Sequence, residues 1–115
     1  MRLDFSLNID GPVIRIRTKL WLELDGELLI GEGRARLLRL IQEKRSINSA
    51  AKAMGITFRR AWSMVKDMED TIKVTLVSKK RGGLGGGTTT LTPIAVELLE
   101  HYEKILAEFN EFANG

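Results

Sequence analysis

The segment from Ser46 to Asp70 constrains the fold most, because a glycine divides it into two short helix-forming stretches. Ser46 can cap the first stretch, I-N-S-A-A-K-A-M, and Gly55 follows it, where a left-handed backbone commonly ends a helix. Thr57 can cap the second stretch, which begins at Phe58. Two short helices joined by a tight glycine turn are typical of a helix-turn-helix.

One face of each of these helices carries small or apolar residues. Ala50, Ala51 and Ala53 would let another helix approach the first one closely. In the second helix, the spacing predicts a core-facing set of Phe58, Ala61, Trp62, Val65, Met68 and Ile72. We interpret Trp62, and also Trp21, as core residues rather than as parts of a ligand cage.

The residues before this motif predict a β-hairpin and a helix. Apolar and polar residues alternate over much of the stretch from Val13 to Leu24, the pair Asp25-Gly26 favours a tight turn, and residues 27–30 would form the returning strand. A helix then follows and ends at Lys44-Arg45, with Leu37, Leu38 and Ile41 on one stripe.

A second hairpin is predicted after the helix-turn-helix. Residues 74–77 are strand-like, residues 78–81 are mostly basic, and R-G-G-L-G-G-G would be a flexible tip before a strand at residues 88–91. This arrangement is the wing of a winged helix. A phosphate-binding loop would need a lysine after the glycines and a helix beyond it, and the sequence has three threonines there.

The last segment predicts one long helix that starts with Thr92 as a cap and Pro93 at the first helical position. Apolar residues at alternating spacings of three and four form a seam, as in a coiled coil. We predict that this seam is a dimer interface made of Ala95, Leu98, Tyr102, Ile105, Phe109 and Phe112.

The predicted fold is therefore α+β: one compact domain containing a winged helix-turn-helix. Its segments are an amino-terminal β-hairpin extension at residues 1–30, the winged helix-turn-helix at 31–91, and a carboxyl-terminal dimerisation helix at 92–115.

Charge is distributed unevenly along the chain, although the net charge is only +3. Residues 44–92 contain ten basic and three acidic side chains, whereas residues 93–115 contain one lysine and five glutamates. A basic middle segment indicates either a surface that faces a polyanion or a merely solvated basic face. On charge alone the two readings are equally supported.

In a helix-turn-helix, the first turns of the second helix lie nearest the DNA bases. The predicted DNA-binding residues come from both helices and the wing: Ser46, Asn48, Ser49, Thr57, Arg59, Arg60, Ser63, Lys66, Lys79, Lys80 and Arg81. Of Arg59 and Arg60, one is expected to contact a base and the other a phosphate. Ser46 has capping as its first role, and a phosphate contact is compatible with it.

Other classes of function find little support in the sequence. There is no cysteine and one histidine, His101, so neither a metal site nor a cofactor is expected. Glutamates 97, 100 and 103 are read as a solvated helix face. No side chain has a partner at catalytic spacing, so an enzyme is not expected. The sequence shows neither a signal peptide nor a membrane span, and we expect a cytoplasmic protein that does not contact a membrane.

The run S-I-N-S-A-A-K-A-M-G-I-T-F-R-R-A-W, the glycine-rich wing and the following L-T-P resemble the amino-terminal domain of ModE-type regulators. These are molybdate-responsive transcription factors whose winged helix is similar to that of the LysR family. The resemblance covers about residues 20–102 and implies a dimeric regulator that binds a palindromic operator. Full-length members bind molybdate in later domains, and this chain ends at Gly115. We therefore expect a stand-alone form that binds double-stranded DNA and itself, but not molybdate.

Two further hypotheses remain beside a sequence-specific regulator. The winged helix could be the scaffold of a protein-interaction adaptor that docks through its last helix, because a fold does not fix a function. It could also be a non-specific architectural DNA-binding protein.

Overall fold

The computed structural model describes residues 17–82 and 87–114 and has an α+β fold, as predicted. Two short hairpins alternate with helices along the chain. In order, the elements are β1 (Leu22–Leu24), β2 (Glu27–Ile30), α1 (Glu32–Lys44), α2 (Ile47–Met54), α3 (Phe58–Ile72), β3 (Val77–Lys80), β4 (Thr88–Leu91) and α4 (Pro93–Asn114).

The first hairpin is shorter than the sequence predicts. Strands β1 and β2 pair antiparallel around Asp25 and Gly26, whose φ angles of 50° and 82° are those of a tight turn. Within the described residues, the strand predicted from Val13 begins only at Leu22. Leu22 pairs with Ile30, after which the chain enters α1, so β2 offers no partner to the described residues 17–21. Residues 13–16 of that prediction lie outside the described part.

The helix-turn-helix has the predicted ends. The Ser46 hydroxyl accepts a hydrogen bond from the Ser49 amide at 3.0 Å, and the Thr57 hydroxyl accepts one from the Arg60 amide at 3.0 Å. Gly55 adopts a φ of 72° at the end of α2. Both N-caps satisfy amides that a helix leaves without internal partners, so α2 and α3 are bounded by their own sequence.

Two apolar clusters form the core, and α1, α3 and the base of the wing contribute to both. One cluster joins the first hairpin to α4: Leu29, Ile30, Ala35, Leu38, Met68, Leu76, Ala95, Leu99 and Tyr102. The other holds the helix-turn-helix: Leu37, Ile41, Ile47, Ala50, Ala51, Ala61, Met64, Val65 and Val77. The predicted stripe of α1 is buried in full.

Three residues assigned to the core or to helix packing are exposed instead. Phe58 is 46% exposed because it is the first residue of α3 and lies before the buried stripe of this helix, which starts at Ala61. Ala53 lies on the solvent side of α2. Trp21 precedes β1, is 51% exposed and donates its indole N–H to the Glu23 carboxylate at 2.8 Å. Met64, outside the predicted set, is buried.

Polar contacts fix the base of the wing to the helices. The Glu69 carboxylate accepts hydrogen bonds from the amides of Leu76 and Val77 at 2.8 and 3.4 Å. The Thr89 amide donates to the Arg45 carbonyl at 2.9 Å, which ties β4 to the junction of α1 and α2. The wing is therefore held by two groups: the Glu69 carboxylate at its base and, further along β4, the Arg45 carbonyl at the junction of α1 and α2.

We expect Glu69→Ala to lower the free energy of unfolding by about 2 kcal/mol, since it leaves two part-buried amides without their acceptor. Glu69→Gln, which keeps an acceptor oxygen, should recover more than half of this loss. Urea unfolding followed by circular dichroism measures both variants. Equal stability of Glu69→Ala and the unsubstituted protein would show that water replaces the carboxylate at no cost.

The seam predicted on α4 is divided by the structure into two parts. Ala95 and Tyr102 are buried inside the protomer, and Leu98 packs against the same cluster. The Tyr102 hydroxyl donates to the Leu20 carbonyl at 2.9 Å, and burial raises the pKa of this phenol. The amino-terminal half of the seam is thus the protomer's own core, which removes Ala95 and Tyr102 from the surface that a second copy could contact.

The carboxyl-terminal half of the seam remains accessible. Ile105 and Phe112 are 40% and 44% exposed, and Phe109 is half-buried. Helix α4 is held to α1 just before this part by paired hydrogen bonds from Arg39 to Glu103, which raise the pKa of the guanidinium. Among the described residues, this apolar stripe of α4 belongs to neither of the two core clusters.

Candidate nucleic-acid interface

The outer face of α3 carries the central part of the candidate interface. Arg59, Ser63 and Lys66 follow one another at helical spacing, opposite the buried stripe of Ala61 and Val65. Arg59 is exposed and belongs to the first turn of the helix. A long guanidinium at this position can extend beyond the helix surface to a planar acceptor pair such as the guanine edge.

Arg60 lies on the flank of the same helix rather than on its centre. It lines a cleft on the side of the first hairpin, together with Arg17, Lys19 and Arg34. Further along this flank, Asp67 approaches Arg34 at 3.8 Å. The structure therefore gives the two arginines different surroundings: Arg59 projects outward, and Arg60 lines a cleft that carries basic side chains and also Glu32 and Glu111.

The start of α2 lies beside the wing. Asn48 and Ser49 are exposed, while Ser46 is half-buried and uses its hydroxyl oxygen to cap the helix. Ser46 and Asn48 line a groove of about 590 Å³ whose other side is formed by Phe58 and by Lys79, Lys80 and Arg81 of the wing. The predicted α2 and wing residues thus share one concave surface next to the first turn of α3.

Two aromatic rings of α3 lie against a lysine of the wing. The Lys79 ammonium lies 4.5 Å from the centroid of the Trp62 ring and 5.9 Å from that of Phe58. The Lys66 ammonium lies 5.3 Å from the Trp62 ring and 3.6 Å from the Glu69 carboxylate. We refer to Phe58 and Trp62 as the aromatic ledge. The helical spacing wrongly placed Phe58 in the core. Its position directly after the cap residue Thr57 marks it as the first residue of α3, where the core does not extend.

The predicted DNA-binding residues lie in three places: the groove between α2 and the wing, the outer face of α3, and the flanking cleft. The groove and the outer face of α3 bring together Ser46, Asn48, Lys79, Lys80, Arg81, Arg59, Ser63 and Lys66. Thr57 and Ser49 lie at the caps of α3 and α2, and Arg60 lies on the flanking cleft. Four residues of the glycine-rich tip, 83–86, lie outside the described part of the chain.

Metal-binding and membrane-spanning features are not found in the described ranges. Among residues 17–82 and 87–114, no three His, Asp or Glu side chains are grouped so that they could hold a metal ion. His101 is exposed and lies 4.0 Å from the Glu97 carboxylate on the same helix. None of the helices in these ranges is both long and apolar enough to cross a membrane.

Comparison with curated proteins confirms the resemblance to ModE regulators. The chain is 37% identical over 84 residues to the transcriptional regulator ModE of Haemophilus influenzae, a match that covers 73% of this chain and 33% of that protein. It is 33% identical over 94 residues to the DNA-binding transcriptional dual regulator ModE of Escherichia coli, covering 82% of this chain and 36% of the regulator. The chain thus spans about a third of the length of the curated relatives it matches.

The fold has a counterpart among solved structures. A crystal structure of the BenM DNA-binding domain in complex with benA site 1 DNA matches 69% of this chain and 83% of that chain, with a TM-score of 0.53 and 18% sequence identity. This likeness supports the fold, which agrees with the predicted winged helix. No protein-family model matches the chain.

Proposed function

We propose that this chain, a relative of ModE regulators over about three-quarters of its length, is a DNA-binding transcriptional regulator and not an enzyme. The surface formed by α3, the start of α2 and the wing binds double-stranded DNA. The curated relatives are named as transcriptional regulators, and the similar solved structure is a DNA complex.

One observation carries the proposal: basic side chains from two separate elements, α3 and the wing, lie on one helix face and in the groove beside its first turn. Arg59 and Lys66 come from α3, and the basic run at residues 79–81 comes from the wing. A solvated basic face has no need for such convergence, whereas displacing counterions from a polyphosphate favours it. The exposed first turn of α3 is then the part that enters the major groove.

The contacts divide by position. We assign base contact to Arg59, because it projects from the outer face of the first turn, and phosphate contact to Arg60, because it lies on the flank. Lys66, Lys80 and Arg81 follow the backbone, and the exposed Asn48 and Ser49 at the start of α2 offer polar donors to a phosphate.

The proposal includes a homodimer on a palindromic operator. The free apolar stripe of α4, made of Ile105, Phe109 and Phe112, supplies the self-complementary contact. Two-fold symmetry of the protein then requires two half-sites about one helical turn apart. Ala95, Leu98 and Tyr102 of the predicted seam pack in the protomer's own core and are not part of this contact.

Selection of random-sequence duplexes by the purified chain at near-physiological salt tests the proposed function. We expect enrichment of an inverted repeat, because a dimer reads the same half-site twice. Enrichment of a single half-site would retain DNA recognition and overturn the homodimer. No enrichment, together with binding that disappears at modest salt, would overturn sequence specificity and leave the adaptor or architectural hypothesis.

A further inference from the structure

Trp62 of the recognition helix contacts lysines from two different elements. Lys79 belongs to β3, and its ammonium is 4.5 Å from the ring centroid, while Lys66 belongs to α3 itself. The Lys66 ammonium also approaches Glu69 at 3.6 Å. Within the described residues, no carboxylate pairs with Lys79, so its ring contacts are the interactions that locate its charge.

An ammonium within about 6 Å of an indole face is attracted by the negative potential of the ring. The four-carbon stem of a lysine has many rotamers, and an exposed lysine must lose this freedom when it binds a phosphate. A ring that already restricts the stem reduces the loss. Trp62 is half-buried and packs against the apolar cluster of the helix-turn-helix, which restricts the motion of its ring.

We propose that Trp62 is a positioning residue for DNA binding: its ring holds Lys79, and with it the outer part of the wing, at a fixed distance from the recognition helix. Phe58 extends the support, since the Lys79 ammonium lies 5.9 Å from its ring. The inference rests on the proposed function, because it assigns the wing's first lysine a pre-set place beside the helix that enters the major groove.

Two other contacts hold the wing at different points. Glu69 accepts from Leu76 and Val77 where the hairpin begins. The Arg45 carbonyl accepts from Thr89, which pairs with Lys79 across the hairpin, so this bond ties the backbone of β4 to the junction of α1 and α2 and not to α3. The lysine side chain extends from the strand to the aromatic ledge on the groove side. The ring contact therefore adds a second, lateral constraint on the wing's orientation relative to α3.

A double-mutant cycle on a selected duplex tests this role. Trp62→Leu should weaken binding roughly fivefold, the effect of losing one exposed cation–ring contact. Lys79→Met should weaken it as well and lower the salt-dependence slope by about one unit, because one phosphate contact is lost. In the Lys79→Met background, Trp62→Leu should have little further effect. Trp62→Phe, which keeps an aromatic face, should retain most of the affinity.

If Trp62 only stabilised the fold, the affinities of the variants would follow a different pattern. Losses that add in the double variant, or a Trp62→Phe protein as weak as Trp62→Leu, would overturn the inference. Unchanged affinity of Trp62→Leu would overturn it too. Thermal melting of each variant checks that the fold persists.

A measurement without DNA separates failure of this inference from failure of the proposed function. Ring current from Trp62 should shift the ε-methylene protons of Lys79 upfield in the NMR spectrum of the free protein, and Trp62→Leu should abolish the shift. An absent shift overturns the positioning role of Trp62 but leaves the proposed DNA binding intact. A present shift in a protein that binds no duplex overturns the DNA-binding role itself.

Discussion

Replacement of Arg59 and Arg60 by alanine should lower the affinity for the selected duplex by about a hundredfold, with most of the loss from Arg59→Ala alone. We expect the larger share from Arg59 because the bidentate contact proposed for it with a base edge would be lost together with a charge. Arg60 lies on the flanking cleft, so its removal costs a phosphate contact at most. Fluorescence anisotropy with a labelled duplex measures both single variants and the pair.

Specificity distinguishes the two arginines more sharply than affinity does. Arg59→Ala should relax base preference at one position of each half-site, whereas Arg60→Ala should weaken all duplexes alike and reduce the salt slope. Arg36→Ala is the matched control, because Arg36 is exposed on α1, away from α3 and the wing. A reversal, with Arg60→Ala relaxing the preference, would contradict the assignment drawn from the helix faces.

The second large effect concerns assembly. We expect Ile105→Glu to convert the dimer into a monomer, because two-fold symmetry brings two introduced carboxylates into one apolar contact. Phe109→Glu should do the same. Sedimentation velocity measures the mass, and affinity for the palindrome should fall with it because each protomer then binds one half-site alone.

Ala107→Glu provides the control for this experiment. Ala107 is exposed on the opposite side of α4 from Ile105, so the same charge added there should leave the dimer intact. A dimer that survives both Ile105→Glu and Phe109→Glu would place the interface elsewhere on the molecule. An unsubstituted chain that sediments as a monomer would contradict the homodimer outright.

Local chemistry explains why the helix-turn-helix could be predicted almost to the residue. Ser46, Gly55 and Thr57 act through atoms within three or four residues of themselves, so their roles are visible in sequence. The strand ending at Leu24 was predicted too long because strand length depends on a partner, and β2 offers only four residues. Period alone places Phe58 on the buried stripe, but where the core ends along a helix depends on what packs there.

The seam of α4 shows a second limit on what can be predicted from the sequence. Alternating spacings of three and four indicate a helix face that is covered, and the spacing is the same whether a second copy or the same protomer covers it. The contacts of Glu69 and Trp62 follow neither from local capping nor from the spacing of apolar residues along a helix. Their contacts with Leu76 and Lys79 join residues from separate elements, and nothing in the local sequence marks those partners.

The two adjacent residues at the base of the wing, Leu76 and Val77, belong to different apolar clusters. A strand that is fastened into both halves of the interior has no local opening motion of its own, because separating it exposes apolar surface on two sides at once. We therefore expect the amides of Leu76 and Val77 to exchange with solvent only when the whole domain unfolds. The hairpin that we propose to face DNA is thus anchored in both of the clusters that form the core.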